Sequence, residues 1–221
     1  VALGWYVARL SVQPEDQPGR PVPNDYLAGL QFLADDDPDQ AIAALMRAVE
    51  VDSETAELHL TLGRLFRRRG EVDRALRIHQ NILTREGLPA RQVNQARFEL
   101  ARDYQAAGLL DRAEVLYREL VDEGMFLEDG LAALQGIHEQ TRDWEKAIDV
   151  AAQLASVRGQ SLQPLIAHYH CELADRARMA DDTATAIAHA VEALRADGKC
   201  VRASLLLGDI HEKAGDRKAA L

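Results

Sequence analysis

The stretch HLTLGRLFRRRGEVDRALRIHQ, His59 to Gln80, sets the fold. Apolar residues recur at helical spacing on both sides of RRRGEVDRA, which predicts two short amphipathic helices joined at Gly70. Glycine supplies the left-handed conformation that ends the first helix, and Asp73 is an anion favoured at the start of the second. The same turn returns as QAAGLLDRA around Gly108 and KAGDRKA around Gly215, and Asp111 and Asp143 recur near this point. Working outward, an alanine marks each second helix: Ala41, Ala75, Ala113, Ala147, Ala186 and Ala220, at spacings of 34, 38, 34, 39 and 34. Twelve residues earlier stand Gly29, Gly63, Ala101, Gln135, Ala174 and Gly208, small in five units of six, so that antiparallel helices can approach closely. Nine residues earlier stand Phe32, Phe66, Tyr104, His138 and His211, with Ala177 in the fifth unit.

Helices this short are unstable alone, so neighbouring units must stack. A period near 34 with inserted loops of four and five residues resembles the tetratricopeptide-repeat family. The resemblance implies an all-α, right-handed superhelical solenoid of antiparallel helix pairs, with a concave groove lined by first helices. Five pairs are expected from about Val22 to Ala196, and a sixth is cut short at Leu221.

Composition agrees. Ala and Leu supply 66 of 221 residues and only 11 are aromatic, which argues against a β-sandwich or barrel. A net charge of −10 excludes sequence-independent nucleic-acid binding. Cys171 and Cys200 are far apart and outside any CxxC pair, which argues against a disulfide framework or a Cys-based zinc site and fits a reducing compartment. There is no HExxH, Gly-rich phosphate loop, GxSxG elbow or locally supported Cys–His pair, so no catalytic residue is assigned and no enzyme is expected.

On the repeat register, Glu57, Leu60, Arg64, Arg67 and Arg68 of the second unit face the groove, as do Gln95, Phe98, Arg102, Gln105 and Ala106 of the third. The partner-binding residues are therefore expected to be Arg64, Arg67, Arg68, Phe98 and Arg102, a cationic surface suited to carboxylates or an acidic segment. The alternative is a solvated basic face paired with neighbouring Glu and Asp. In the fifth unit His168, Cys171 and Asp175 share one helix face, where a metal is the less favoured reading beside packed or groove-facing polar residues. No metal site is assigned.

Val1 to Val7 (VALGWYV) is apolar and followed by Arg9, with Trp5 and Tyr6 suited to a membrane interface. Residues 1–10 are expected to be the end of a truncated N-terminal membrane anchor, the alternative being a disordered leader. Residues 11–25 hold four of the seven prolines and read as an extended linker, and 26–221 as the repeat array. The truncated sixth unit is expected to leave an apolar face open to self-association.

His59 to Gln80, TRDWEKAIDVA (Thr141–Ala151), IAHYHCELA (Ile166–Ala174) and GWYVARLS (Gly4–Ser11) resemble the lipopolysaccharide assembly protein B family over essentially the whole chain. The resemblance implies a bacterial inner-membrane adaptor with a single N-terminal anchor and a cytoplasmic repeat array. It implies presentation of the deacetylase that commits cells to lipid A synthesis to a membrane-bound ATP-dependent protease. It also implies a membrane regulator that contacts the anchor. A general scaffold for lipopolysaccharide biosynthetic proteins is the alternative. The family's iron belongs to a C-terminal rubredoxin-type domain with CxxC pairs, so no cofactor is expected in this chain.

Overall fold

The repeat alanines are the points of closest helix packing: Ala41, Ala75, Ala113, Ala147 and Ala186 are all fully buried. Around them, the computed structural model describes residues 24–35, 37–51 and 56–213. These residues form eleven helices with no strand among them. The first unit pairs α1 (Asn24–Ala34) with α2 (Pro38–Val51), and the second pairs α3 (Ala56–Arg68) with α4 (Val72–Leu83). The third holds α5 (Ala90–Ala106) and α6 (Leu110–Asp122), and the fourth α7 (Leu127–Thr141) and α8 (Trp144–Arg158). The fifth holds α9 (Gln163–Met179) and α10 (Thr183–Ala196), and the sixth opens with α11 (Val201–Lys213).

Each helix packs on the next in sequence, and first helices also meet across joints, α3 on α5 and α9 on α11. The core is accordingly a row of neighbouring clusters rather than one closed centre, which is the tetratricopeptide solenoid expected of the spacing. The expected anchor (residues 1–10), linker residues 11–23, Ala220 and the end of the sixth unit lie outside the described residues. The last two linker residues, Asn24 and Asp25, open α1. Among the described residues no helix is long and apolar enough to cross a membrane.

The glycines twelve positions before Ala41 and Ala75 have a steric cause. A Cβ on Gly29 would lie 2.7 Å from Leu45 Cγ, and one on Gly63 would lie 2.4 Å from His79 Nε2. Ala101 and Ala174 hold the same position in the third and fifth units and are also buried.

In the second to fifth units the turns between paired helices share one conformation. Five residues before the alanine the backbone is left-handed at Gly70 (φ 83°) and Gly108 (φ 73°), as expected, and also at Arg142 (φ 58°) and Asp181 (φ 58°). Side chains there cost roughly 1 kcal/mol relative to glycine. The following aspartates offset part of this by capping: Asp143 accepts from Lys146 N and Asp182 from Thr185 N. In the middle of the array, Leu131, Leu134 and Ile137 of α7 are fully buried, each contributing about 2 kcal/mol of hydrophobic stabilisation.

Candidate functional site

Two arginines on α3 reach across to α5. Arg64 Nε donates to Glu99 Oε1 at 2.7 Å, and Arg67 donates to Glu99 Oε2 at 2.6 Å and to Asp103 Oδ1 at 2.7 Å. The other Asp103 oxygen lies 2.5 Å from Nδ1 of His79 on α4, whose Nε2 faces the Leu60 carbonyl at 3.4 Å. Glu99, Asp103 and His79 are all buried, and Gln95 adds a hydrogen bond to Glu99. Burial pushes the Glu99 carboxyl up, but the Arg67 hydrogen bond and the charges of Arg64 and Arg67 more than offset this, and it titrates below the ordinary carboxylate range. One connected set of charges therefore ties the second unit to the third.

Of the expected partner-binding residues, Arg64 and Arg67 are thus spent largely on internal partners, while Arg68 and Arg102 are exposed. Phe98 is only 7% exposed. It stacks on Phe126 with centroids 4.5 Å apart and meets Tyr117 edge-on at 5.7 Å, so most of its surface belongs to the core. The Arg102 guanidinium lies 5.9 Å from the Phe98 ring centre.

Two depressions open along the first helices. One, of about 240 Å³, is lined by Phe98, Arg102, Gln105, Tyr117, Asp129 and Ala133, between α5 and α7. The other, of about 270 Å³, is lined by Glu57, Leu60 and Arg64 of α3 and by Arg91, Gln92 and Gln95 of α5. The repeat register named Glu57, Leu60, Arg64, Gln95, Phe98, Arg102 and Gln105, but not exposed Arg91, which sits in the first turn of α5. The Tyr117 hydroxyl donates to Gln105 at 3.1 Å, and burial pushes its phenol up to about 12. It remains a donor throughout the neutral range.

The fifth-unit face resolves differently. Arg202 of α11 lies 3.2 Å from His168 Nδ1 and donates to Glu172 at 2.6 Å and to Asp175 at 2.8 Å, so a guanidinium occupies the ground between these side chains. Cys171 is fully buried and its Sγ lies 3.7 Å from Sγ of Cys200. His170 faces His189 instead, with ring centroids 5.6 Å apart. Among the described residues no group of three or more His, Cys, Asp or Glu is placed to hold a metal ion.

With this geometry in place, comparison with known proteins is direct. The tetratricopeptide-repeat family profile matches residues 26–87 and 171–221, about half of the chain. The chain belongs to the tetratricopeptide-repeat family. Residues between the two matched stretches hold α5 to α8 in the same register, with Ala113 and Ala147 buried like the other repeat alanines. Among curated proteins the chain is 39% identical over 222 residues to lipopolysaccharide assembly protein B of Escherichia coli K12, covering all of this chain and 57% of that protein. It is 36% identical over 230 residues to lipopolysaccharide assembly protein B of Haemophilus influenzae Rd, covering 58% of it. The chain thus spans less than three-fifths of the length of these relatives. A crystal structure of a tetratricopeptide repeat protein from Parabacteroides merdae aligns with a TM-score of 0.55 at 16% identity, covering 89% of this chain and 74% of that one. That likeness concerns the fold alone.

Proposed function

We propose that the chain is a non-catalytic, protein-binding adaptor in the control of lipopolysaccharide synthesis. The observation that carries the reading is the row of first helices. It presents Arg64, Arg91 and Arg102 around two depressions in a chain of net charge −10. Cations concentrated on one face of an acidic protein suit an acidic segment of a partner. The pathway comes from the relatives, which are lipopolysaccharide assembly proteins at 36–39% identity over the whole chain.

In finer detail, the partners are the lipid A-committing deacetylase and a membrane-bound ATP-dependent protease, held together by the adaptor. A membrane regulator acts through the anchor. The array works on the cytoplasmic side of the bacterial inner membrane, and no cofactor resides in this chain. Such an adaptor needs no reactive group, because holding a substrate beside a protease raises its effective concentration. The relatives' name, which speaks of assembly, favours a second reading: a scaffold docking several biosynthetic proteins at the membrane.

The test uses exposed arginines and spares Arg67, whose reversal would break the buried ion pairs. Arg91→Glu with Arg102→Glu is expected to weaken capture of the purified deacetylase at least tenfold while leaving helicity and thermal midpoint unchanged. Undiminished capture rejects the arginine face as the partner surface. Capture of other biosynthetic enzymes but not of the deacetylase or the protease selects the scaffold.

A further inference from the structure

We propose that Cys171 and Cys200 are a modification site: a thiol pair that closes into a reversible intrachain disulfide and pins the fifth unit to the sixth. The residues are 29 positions apart, yet their sulfurs lie 3.7 Å from each other, both as free thiols. Cys171 sits on α9 inside the cluster formed by Ala167, Ala174, Ala190 and Ala203. Cys200 immediately precedes α11, in the turn that follows α10. A disulfide requires sulfurs about 2.05 Å apart, so they must approach by roughly 1.7 Å. The placement favours that movement, because one partner is in a turn and the side chains around the other are mostly single methyl groups.

The environments of the two thiols set the order of events. Cys171 is fully buried, and burial, reinforced by the neighbouring Cys200, pushes its thiol up to about 12. Cys200 is only half-buried and is the sulfur that an oxidant reaches first. The oxidant class is a low-molecular-weight disulfide such as oxidised glutathione. The Cys200 thiolate attacks one of its sulfurs, forming a mixed disulfide and releasing one glutathione thiolate. Cys171 loses its proton to solvent and attacks Cys200 Sγ. The internal bond then forms and the second glutathione leaves as thiolate. In total the protein gives up two electrons and two protons, and one glutathione disulfide becomes two thiols. The raised Cys171 thiol makes the second step the slow one.

The consequence lies at the joint. Cys171 adjoins Glu172, and Cys200 stands two residues before Arg202, so the covalent link runs beside the ion pairs that already join α9 to α11. Oxidation therefore fixes the angle between the last two described first helices, whatever occupies the groove.

The experiment incubates the reduced full chain with oxidised glutathione under native conditions. Intact mass and alkylation mapping are then recorded. The expected product is a monomer lighter by two hydrogens, with both thiols blocked, a linked peptide containing Cys171 and Cys200, and full reversal by dithiothreitol. Its thermal midpoint is expected to rise by about 5 °C. Cys200→Ser should fold like the parent and show neither link nor rise, and Cys171→Ala should stop at a glutathione adduct on Cys200. A parent chain that retains that adduct without closing, that forms only linked dimers, or that links only in denaturant overturns the proposal.

Discussion

Two joints of the array use one device at different depths. Between the second and third units, Arg67 of α3 spans Glu99 and Asp103 of α5. Between the fifth and sixth, Arg202 of α11 spans Glu172 and Asp175 of α9. Glu99 and Glu172 occupy the same repeat position, fourteen residues before Ala113 and Ala186. The earlier joint is closed over: Arg67 is 13% exposed and Asp103 0%. The later one is open, with Arg202 at 40% and Asp175 at 20%. Charges removed from water depend on every partner being in place, whereas exposed charges have solvent as a substitute. The earlier joint is therefore brittle and the later one tolerant.

The largest effect is expected where that brittleness is greatest. Asp103→Ala leaves Arg67 and His79 buried without their shared carboxylate and should cost about 3–5 kcal/mol in urea denaturation. Gly63→Ala tests the same joint from its steric side. Its Cβ would displace His79 from Asp103 and should cost about 2–3 kcal/mol.

His138 sharpens the contrast, being as buried as His79 but with neither ring nitrogen hydrogen-bonded. Desolvation holds its pKa below the ordinary value near 6.5. Below that value the unfolded chain takes up the proton first, so the stability tied to His138 is complete above about pH 6.5 and declines as pH falls. His138→Phe, matching Phe32 and Phe66 in register, is expected to add about 1 kcal/mol at pH 7 and more at pH 5, measured by urea titrations at both. The smallest change belongs to the open joint. Arg202→Ala should cost about 0.5 kcal/mol, an effect that shrinks further in high salt.

The units were legible in the sequence because one residue per position carries the information. An alanine every 34 to 39 residues and glycine at two helix–helix turns mark geometry that no other part of the chain has to supply. Arg142 and Asp181 took the same left-handed position without a glycine to announce it, supported by the caps that follow. At the groove, the register placed arginines on first helices correctly but could not pair them. Pairing depends on how α3 and α5 stack, and the partners Glu99 and Asp103 sit one helical turn apart among groove positions. The recurrence of an acid fourteen residues before each of two repeat alanines was the available signal. Cys171 and Cys200 look unrelated at 29 positions apart, and only the stacking of α9 on α11 brings them together.

Phe98 has a double allegiance. One side of its ring is stacked on Phe126, which holds a left-handed backbone at the threshold of α7, and its edge lines the hollow beneath Arg102. A guest side chain settling there would touch the same ring that stacks on the residue opening the next helix pair.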